Sequence, residues 1–121
     1  MNEAAYKKDI IRKLRALNLY KKEYEYTIDN LAWCLYNYEQ MKGTFAKSGG
    51  NIVVRHTNRG GSTNAAQNPF YRAMETLRAD ITIYSRELGL TPASLKRIRE
   101  SEVATAKKTS PLAALLRDAN K

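Results

Sequence analysis

Apolar residues recur at alternating spacings of four and three along three stretches of this chain. In residues 4–17, Tyr6, Ile10, Leu14 and Leu17 share one face with Ile11 at its margin, which predicts an amphipathic helix ending at Asn18. Across residues 20–45, Tyr24, Ile28, Leu31, Leu35, Tyr38 and Phe45 follow a heptad that only Lys42 interrupts, with Met41 beside it to fill the gap. The clearest seam lies in residues 68–92, where Phe70, Met74, Leu77, Ile81, Tyr84 and Leu88 fall on one helical face. Both ends of this third helix are specified. Asn68 suits the N-cap and Pro69 the first helical position, where a missing N–H costs nothing. Gly89 can take the left-handed conformation that closes a helix, with Leu90 folding back on the last turn. Thr91 and Pro92 then read as the cap and first residue of a short helix that carries Leu95 and Ile98 inward and runs to about Glu102.

The remaining segments lack such periodicity. Gly43, Gly49 and Gly50 close the second helix, and residues 46–67 read as an extended glycine-rich crossing in which residues 52–54 form a short strand. A connection of this length without regular structure is often functional or mobile. Beyond residue 100, Ser110 and Pro111 interrupt the chain, and Leu112, Leu115 and Leu116 make an apolar patch. That patch suits docking on a partner, or lying on its own domain. The expected fold is therefore all-α. A helical hairpin (1–45), an extended segment (46–67) and a helix–turn–helix-like pair (68–100) make one oligomerisation and DNA-recognition domain. A basic flexible tail with a short docking helix (101–121) follows.

Charge changes this picture from a generic bundle to one with a preferred class of partner. Lys and Arg number 21 against 12 Asp and Glu, a net charge of +9 that is spread along the chain. Such a balance attracts polyanions by long-range fields and counterion release. The expected phosphate contacts are Lys96, Arg97, Arg99, Lys107 and Lys108, then Lys8, Arg12 and Arg15 on the first helix, then Arg55 and Arg59 on the crossing segment. Each group also admits the simpler reading of a solvated basic face. Tyr20, Tyr26, Trp33 and Tyr36 surround the second helix's heptad, so that helix is apolar on more than one side. Tyr and Trp bury area while keeping a polar tip, and interfaces favour them. The expected contact between subunits comprises Tyr24, Ile28, Leu31, Trp33, Leu35, Tyr36 and Tyr38.

Catalytic chemistry finds little to work with. His56 is the sole histidine and Cys34, set in an apolar helical pattern, the sole cysteine, which excludes an internal disulfide and predicts a buried, inert thiol. Neither a paired-ligand metal motif nor a phosphate-binding glycine loop occurs, so no metal, no cofactor and no enzymatic activity are expected. The charged start predicts no signal peptide, and no apolar run approaches the roughly 20 residues of a membrane span. An intracellular, soluble protein is expected.

The spacing of Asn68-Pro69 to Glu87-Leu88-Gly89-Leu90-Thr91-Pro92-Ala93-Ser94 resembles that of phage terminase small subunits. The likeness covers residues 68–98 well, with Leu95 where the family often has arginine and Lys96 and Arg97 following. It implies a non-enzymatic DNA-packaging factor in the host cytoplasm. Such a factor forms a homo-oligomeric ring, recognises double-stranded viral DNA and delivers it to the large terminase subunit. Asn68, Pro69, Leu88, Gly89, Leu90, Thr91 and Pro92 are its matching motif positions, and their chemistry is structural. Two other readings of the same residues are a stand-alone helix–turn–helix regulator and a coiled-coil adaptor that touches no nucleic acid.

Overall fold

The structure, a computed structural model, describes residues 1–108, with side chains through Ala106. Four helices and one β-hairpin follow in the order α1 (Glu3–Ala16), α2 (Glu25–Lys47), β1 (Val53–Thr57), β2 (Thr63–Gln67), α3 (Pro69–Leu88) and α4 (Pro92–Lys108), with a single 3-10 turn at Lys22–Tyr24 leading into α2. The architecture is mostly helical, as the periodicities predict.

Each helix boundary has a local cause. Asn2 caps α1, its side-chain oxygen accepting from Ala5 N–H at 2.8 Å. Asn68 caps α3 through its Oδ1, which accepts from Phe70 N–H at 3.0 Å, with Pro69 at the first position. For α4, Thr91 Oγ1 accepts from Ser94 N–H at 3.3 Å, while Ser94 Oγ accepts from Thr91 N–H at 3.3 Å. This is a reciprocal capping box with serine as its second member. At the C-terminal ends, α1, α2 and α3 all stop on a left-handed residue: Asn18 at φ 59°, Gly49 at 106° and Gly89 at 80°. In each case the next N–H reaches back to the carbonyl five residues earlier, from Leu19 to Leu14, from Gly50 to Phe45 and from Leu90 to Ser85. That pattern satisfies carbonyls the helix would otherwise orphan.

The core lies where α1, the first half of α2, the end of α3 and the start of α4 meet. Ile10, Leu14, Leu19, Ile28, Leu31, Ala32 and Leu88 are buried there, with Ile81, Tyr84, Leu90, Leu95 and Ile98 packed against them. From this junction α2 and α3 continue side by side in antiparallel directions. Tyr38 meets Arg78, and further out the rings of Phe45 and Tyr71 lie 5.9 Å apart. Met74 is buried in this outer half, whereas Phe70, the first seam residue, is exposed.

Two expectations need correction. The extended crossing is an antiparallel β-hairpin, with Val53 opposite Gln67, Arg55 opposite Ala65 and Thr57 opposite Thr63. Its strands carry almost no apolar alternation, so it is held by backbone pairing and its turn rather than by a buried face. The second correction concerns α4, which runs to Lys108 rather than stopping near Glu102, so residues 101–108 are helix and not tail. Ser101 to Ala106 contain no glycine or proline, and nothing there opposes continuation. The docking patch of Leu112, Leu115 and Leu116 lies outside the described residues.

Gly89 is the tightest point of the core. A Cβ placed there would stand 2.8 Å from Ile98 Cδ1 and 3.0 Å from Leu19 Cδ1. Gly89→Ala should therefore lower unfolding stability by about 1–2 kcal/mol, chiefly the cost of a left-handed alanine, as read from urea denaturation.

Candidate nucleic-acid interface

Many of the cations near the core are engaged. Lys7 Nζ on α1 bridges Glu25 at 2.9 Å and Asp29 at 2.7 Å on α2. Tyr20 donates its hydroxyl proton to the same Glu25 at 2.7 Å. On α1, Asp9 holds Arg12 and, at 3.0 Å, Lys13. The guanidinium of Arg15 stacks over the Tyr20 ring at 4.9 Å. In the outer half of the helix pair, Arg78 donates to Tyr38 Oη at 3.0 Å and neighbours Glu75. The pairs set proton affinities in the expected senses. Asp29, then Glu25, raises the Lys7 ammonium well above its ordinary value. The Tyr20 hydroxyl, then Lys7, holds the Glu25 carboxyl below its own, and Arg12, then Lys13, does the same for Asp9.

The expected phosphate contacts therefore divide. On α1, Arg12 is committed to Asp9 and Arg15 to Tyr20, while Lys8 is exposed and has no ion pair among the described residues. On α4, Lys96, Arg97 and Arg99 are all exposed and none is paired among the described residues. Lys96 and Arg99 flank an open apolar groove formed by Pro92, Leu95 and Val103. Arg97 shares a shallow depression with Arg86 of α3, beside Thr91 and Ser94. Arg99 also lies beside Leu17 and Asn18 at the end of α1. Lys107 and Lys108 close α4, and their side chains lie outside those described.

Arg55 and Arg59 belong to the other end of the molecule. Both are exposed on the hairpin that precedes α3, whereas α4 follows α3. The 20 residues of α3, about 30 Å of helix, lie between the hairpin and α4. The cations thus form two basic ends, not one patch. Arg86 and Lys21 escaped sequence reasoning. Arg86 carried a signal, three residues before the helix-closing Gly89, where cations complement the helix terminus. Lys21 reaches the flank of α4 near Ser101 and carried none.

The aromatic helix divides in the same way. Ile28 and Leu31 are buried by the chain's own packing, and Tyr24, Leu35, Tyr36 and Tyr38 are half-buried. Trp33 is 52% exposed, and Tyr26, seven residues earlier on the same stripe, is 79% exposed. Trp33 lies level with Ile83 of α3, itself 49% exposed, since the contacts of Tyr38 with Arg78 and Phe45 with Tyr71 fix the alignment of the pair. Cys34 is buried between the helices, and burial pushes its thiol further from ionisation. That matches the inert thiol its surroundings predict.

A family model described as "Phage terminase, small subunit" matches residues 5–105. The match takes in the hairpin, α2 and α3 whole, and α1 and α4 except the first two residues of α1 and the last three of α4, and the chain belongs to that family. Its role is accordingly in phage DNA packaging. Comparison with curated proteins and with solved structures gives no match. No helix among the described residues is long and apolar enough to cross a membrane.

The α1–α2 ion pairs give the fold an acid-side dependence. Glu25 and Asp9 are held below their ordinary values of 4.5 and 3.8. Their stabilisation is therefore complete above those values and is lost as pH falls through the lower folded ones. Glu25→Gln should melt below the wild type at neutral pH. The gap between the two melting temperatures should narrow as the pH falls below 4.5 and close once Glu25 is protonated in the folded state, measured by circular dichroism.

Proposed function

We propose that this chain is the non-catalytic, DNA-recognising subunit of the terminase, acting on double-stranded viral DNA in the host cytoplasm as a homo-oligomer, a ring, and recruiting the large subunit that performs the chemistry. Within the family assignment, one observation carries the DNA part of this reading. The cations of the core side are largely engaged by carboxylates or rings, whereas Lys96, Arg97 and Arg99 on α4 stand exposed and unpaired among the described residues. Cations left free on a helix surface bind phosphate by releasing its condensed counterions, and such contacts set affinity and orientation more than sequence choice.

The surface offered to other copies is the Tyr26–Trp33 stripe of α2. These side chains lie away from the intrachain core, and large exposed aromatics of this kind are the anchors that protein interfaces favour. Ile28 and Leu31 then serve the folded subunit, and Trp33 serves the assembly. Docking of the large subunit is assigned to the segment holding Leu112, Leu115 and Leu116.

Two measurements test these assignments. Exchanging Lys96, Arg97 and Arg99 for alanine should weaken binding to duplex DNA and flatten the dependence of log affinity on log salt by up to about 2.7, since each phosphate contact contributes about 0.9. An unchanged slope would remove α4 from the contact surface. Independently, Trp33→Glu should reduce the native mass from an oligomer to a single chain while leaving the helical circular dichroism intact. A wild-type mass equal to one chain at micromolar concentration would dispose of the assembly.

A further inference from the structure

The hairpin has no structural occupation inside the subunit. Nine of its ten strand residues are exposed, and only Val54 is half-buried. A two-stranded hairpin that buries no face is marginal by itself, yet this one is held firmly at both ends. At its base, Asn68 N–H donates to the Ile52 carbonyl at 2.7 Å and Asn68 Nδ2 to the Asn51 carbonyl at 2.8 Å, while its Oδ1 caps α3. Asn68 is only 3% exposed. At the tip, Asn58 Oδ1 accepts from both Gly60 and Ser62 N–H at 3.0 Å, fixing the loop that carries Arg59.

Charge on this part of the molecule is one-sided. Between Glu39 and Glu75 the chain contains no Asp or Glu, but it does contain Lys42, Lys47, Arg55, Arg59 and Arg72. On α4, by contrast, Glu100 and Glu102 dilute the cations. Cross-strand partners share a face of a ribbon, so Arg55 stands among Val53, Thr57, Thr63, Ala65 and Gln67, all exposed and none acidic. The other face carries Val54, which is half-buried, with His56, Asn64 and Ala66, which are exposed. Small neighbours around Arg55 let a surface approach closely. The dimensions also fit: two strands about 4.8 Å apart and about 17 Å long match a major groove about 12 Å wide.

We propose that the β1–β2 hairpin is a DNA-reading ribbon that enters the major groove of duplex DNA, with Arg55 and Arg59 on the flanking phosphates and Gln67 turned to base edges. The inference rests on the reading of the chain as a DNA-recognising subunit. Pairing of two hairpins from neighbouring copies would satisfy the same free strand edges. It would also bring their arginines together with no carboxylate between Glu39 and Glu75 to offset them, so a polyanion is the better complement.

The test uses the full chain and a fluorescein-labelled 30-base-pair duplex of mixed sequence, titrated by anisotropy from about 50 to about 300 mM salt. The double variant Arg55→Ala/Arg59→Ala should bind at least about tenfold more weakly near physiological salt, with a salt slope lower by about 1.8. Arg55→Lys/Arg59→Lys should restore the slope. Dimethyl sulfate should find guanine N7 protected by the wild type and unprotected by the alanine variant. A wild type that binds no duplex even at the lowest salt would overturn both this inference and the reading beneath it. A wild type that binds, with an alanine variant of equal slope and equal N7 protection, would overturn the ribbon alone. An alanine variant whose native mass falls would assign the hairpin to contacts between copies and overturn it likewise.

Discussion

Leu19, just past the end of α1, and Ile98 in α4 both bring a terminal methyl against residue 89, 3.0 and 2.8 Å from where a Cβ would stand. The same residue must hold φ at 80° for α3 to stop and for Leu90 N–H to turn back to the Ser85 carbonyl. One position thus satisfies a steric and a conformational demand at once, and glycine alone meets both. The consequences spread outward from it. The turn places Leu88 in the core and starts α4 two residues later, where Thr91 and Ser94 cap each other and Leu95 and Ile98 face inward. With those two residues inward, Lys96, Arg97 and Arg99 are left on the outside of α4. Their availability to a ligand follows from packing at residue 89.

A second joint works at the opposite end of α3. Asn68 spends its amide oxygen on the helix and its amide nitrogen on the hairpin, and its burial makes both bonds stronger than they would be in water. The hairpin is therefore tied to the axis of α3 through a residue that is also the first fixed point of the helix. Between the two joints runs the α2–α3 pair, whose contacts at Tyr38–Arg78 and Phe45–Tyr71 keep it straight. The two joints stand at opposite ends of a helix about 30 Å long.

The helical framework was legible because its signals are local. Asn68-Pro69, Gly89 and Thr91-Pro92 specify helix ends by backbone chemistry that tertiary packing did not override, and even Asn18, without glycine, ends α1 as expected. The hairpin was not legible for the opposite reason. A strand is read from alternation toward a buried face, and Thr63 to Gln67 have no buried face to alternate toward. Its register is set instead by Asn58 at the turn and Asn68 at the base, contacts that cannot be read from spacing alone. For the phosphate contacts, sequence placed the cations but not their company. Asp9 three residues before Arg12 was a visible pairing signal, whereas the meeting of Arg15 with Tyr20 needed the turn after α1. Likewise the heptad identified α2 as central without separating Ile28 and Leu31, which the chain buries itself, from Trp33, which it does not.

Net charge alone would make every cation on this surface equivalent, and the structure divides them. Exposed ion pairs contribute little stability individually, so the value of the Lys7, Glu25 and Asp29 cluster lies in fixing α1 against α2 with its charges spent. The stretch between Glu39 and Glu75 has the reverse balance, with five cations and no acid, and of the five Lys42 pairs with Glu39 at its edge, at 3.8 Å. Carboxylates would be easy to accommodate on strands so exposed. A phosphate backbone alongside the ribbon would supply the missing negative charge. Paired charges thus lie where α1 meets α2, whereas Arg55 and Arg59 stand without a carboxylate partner among the described residues.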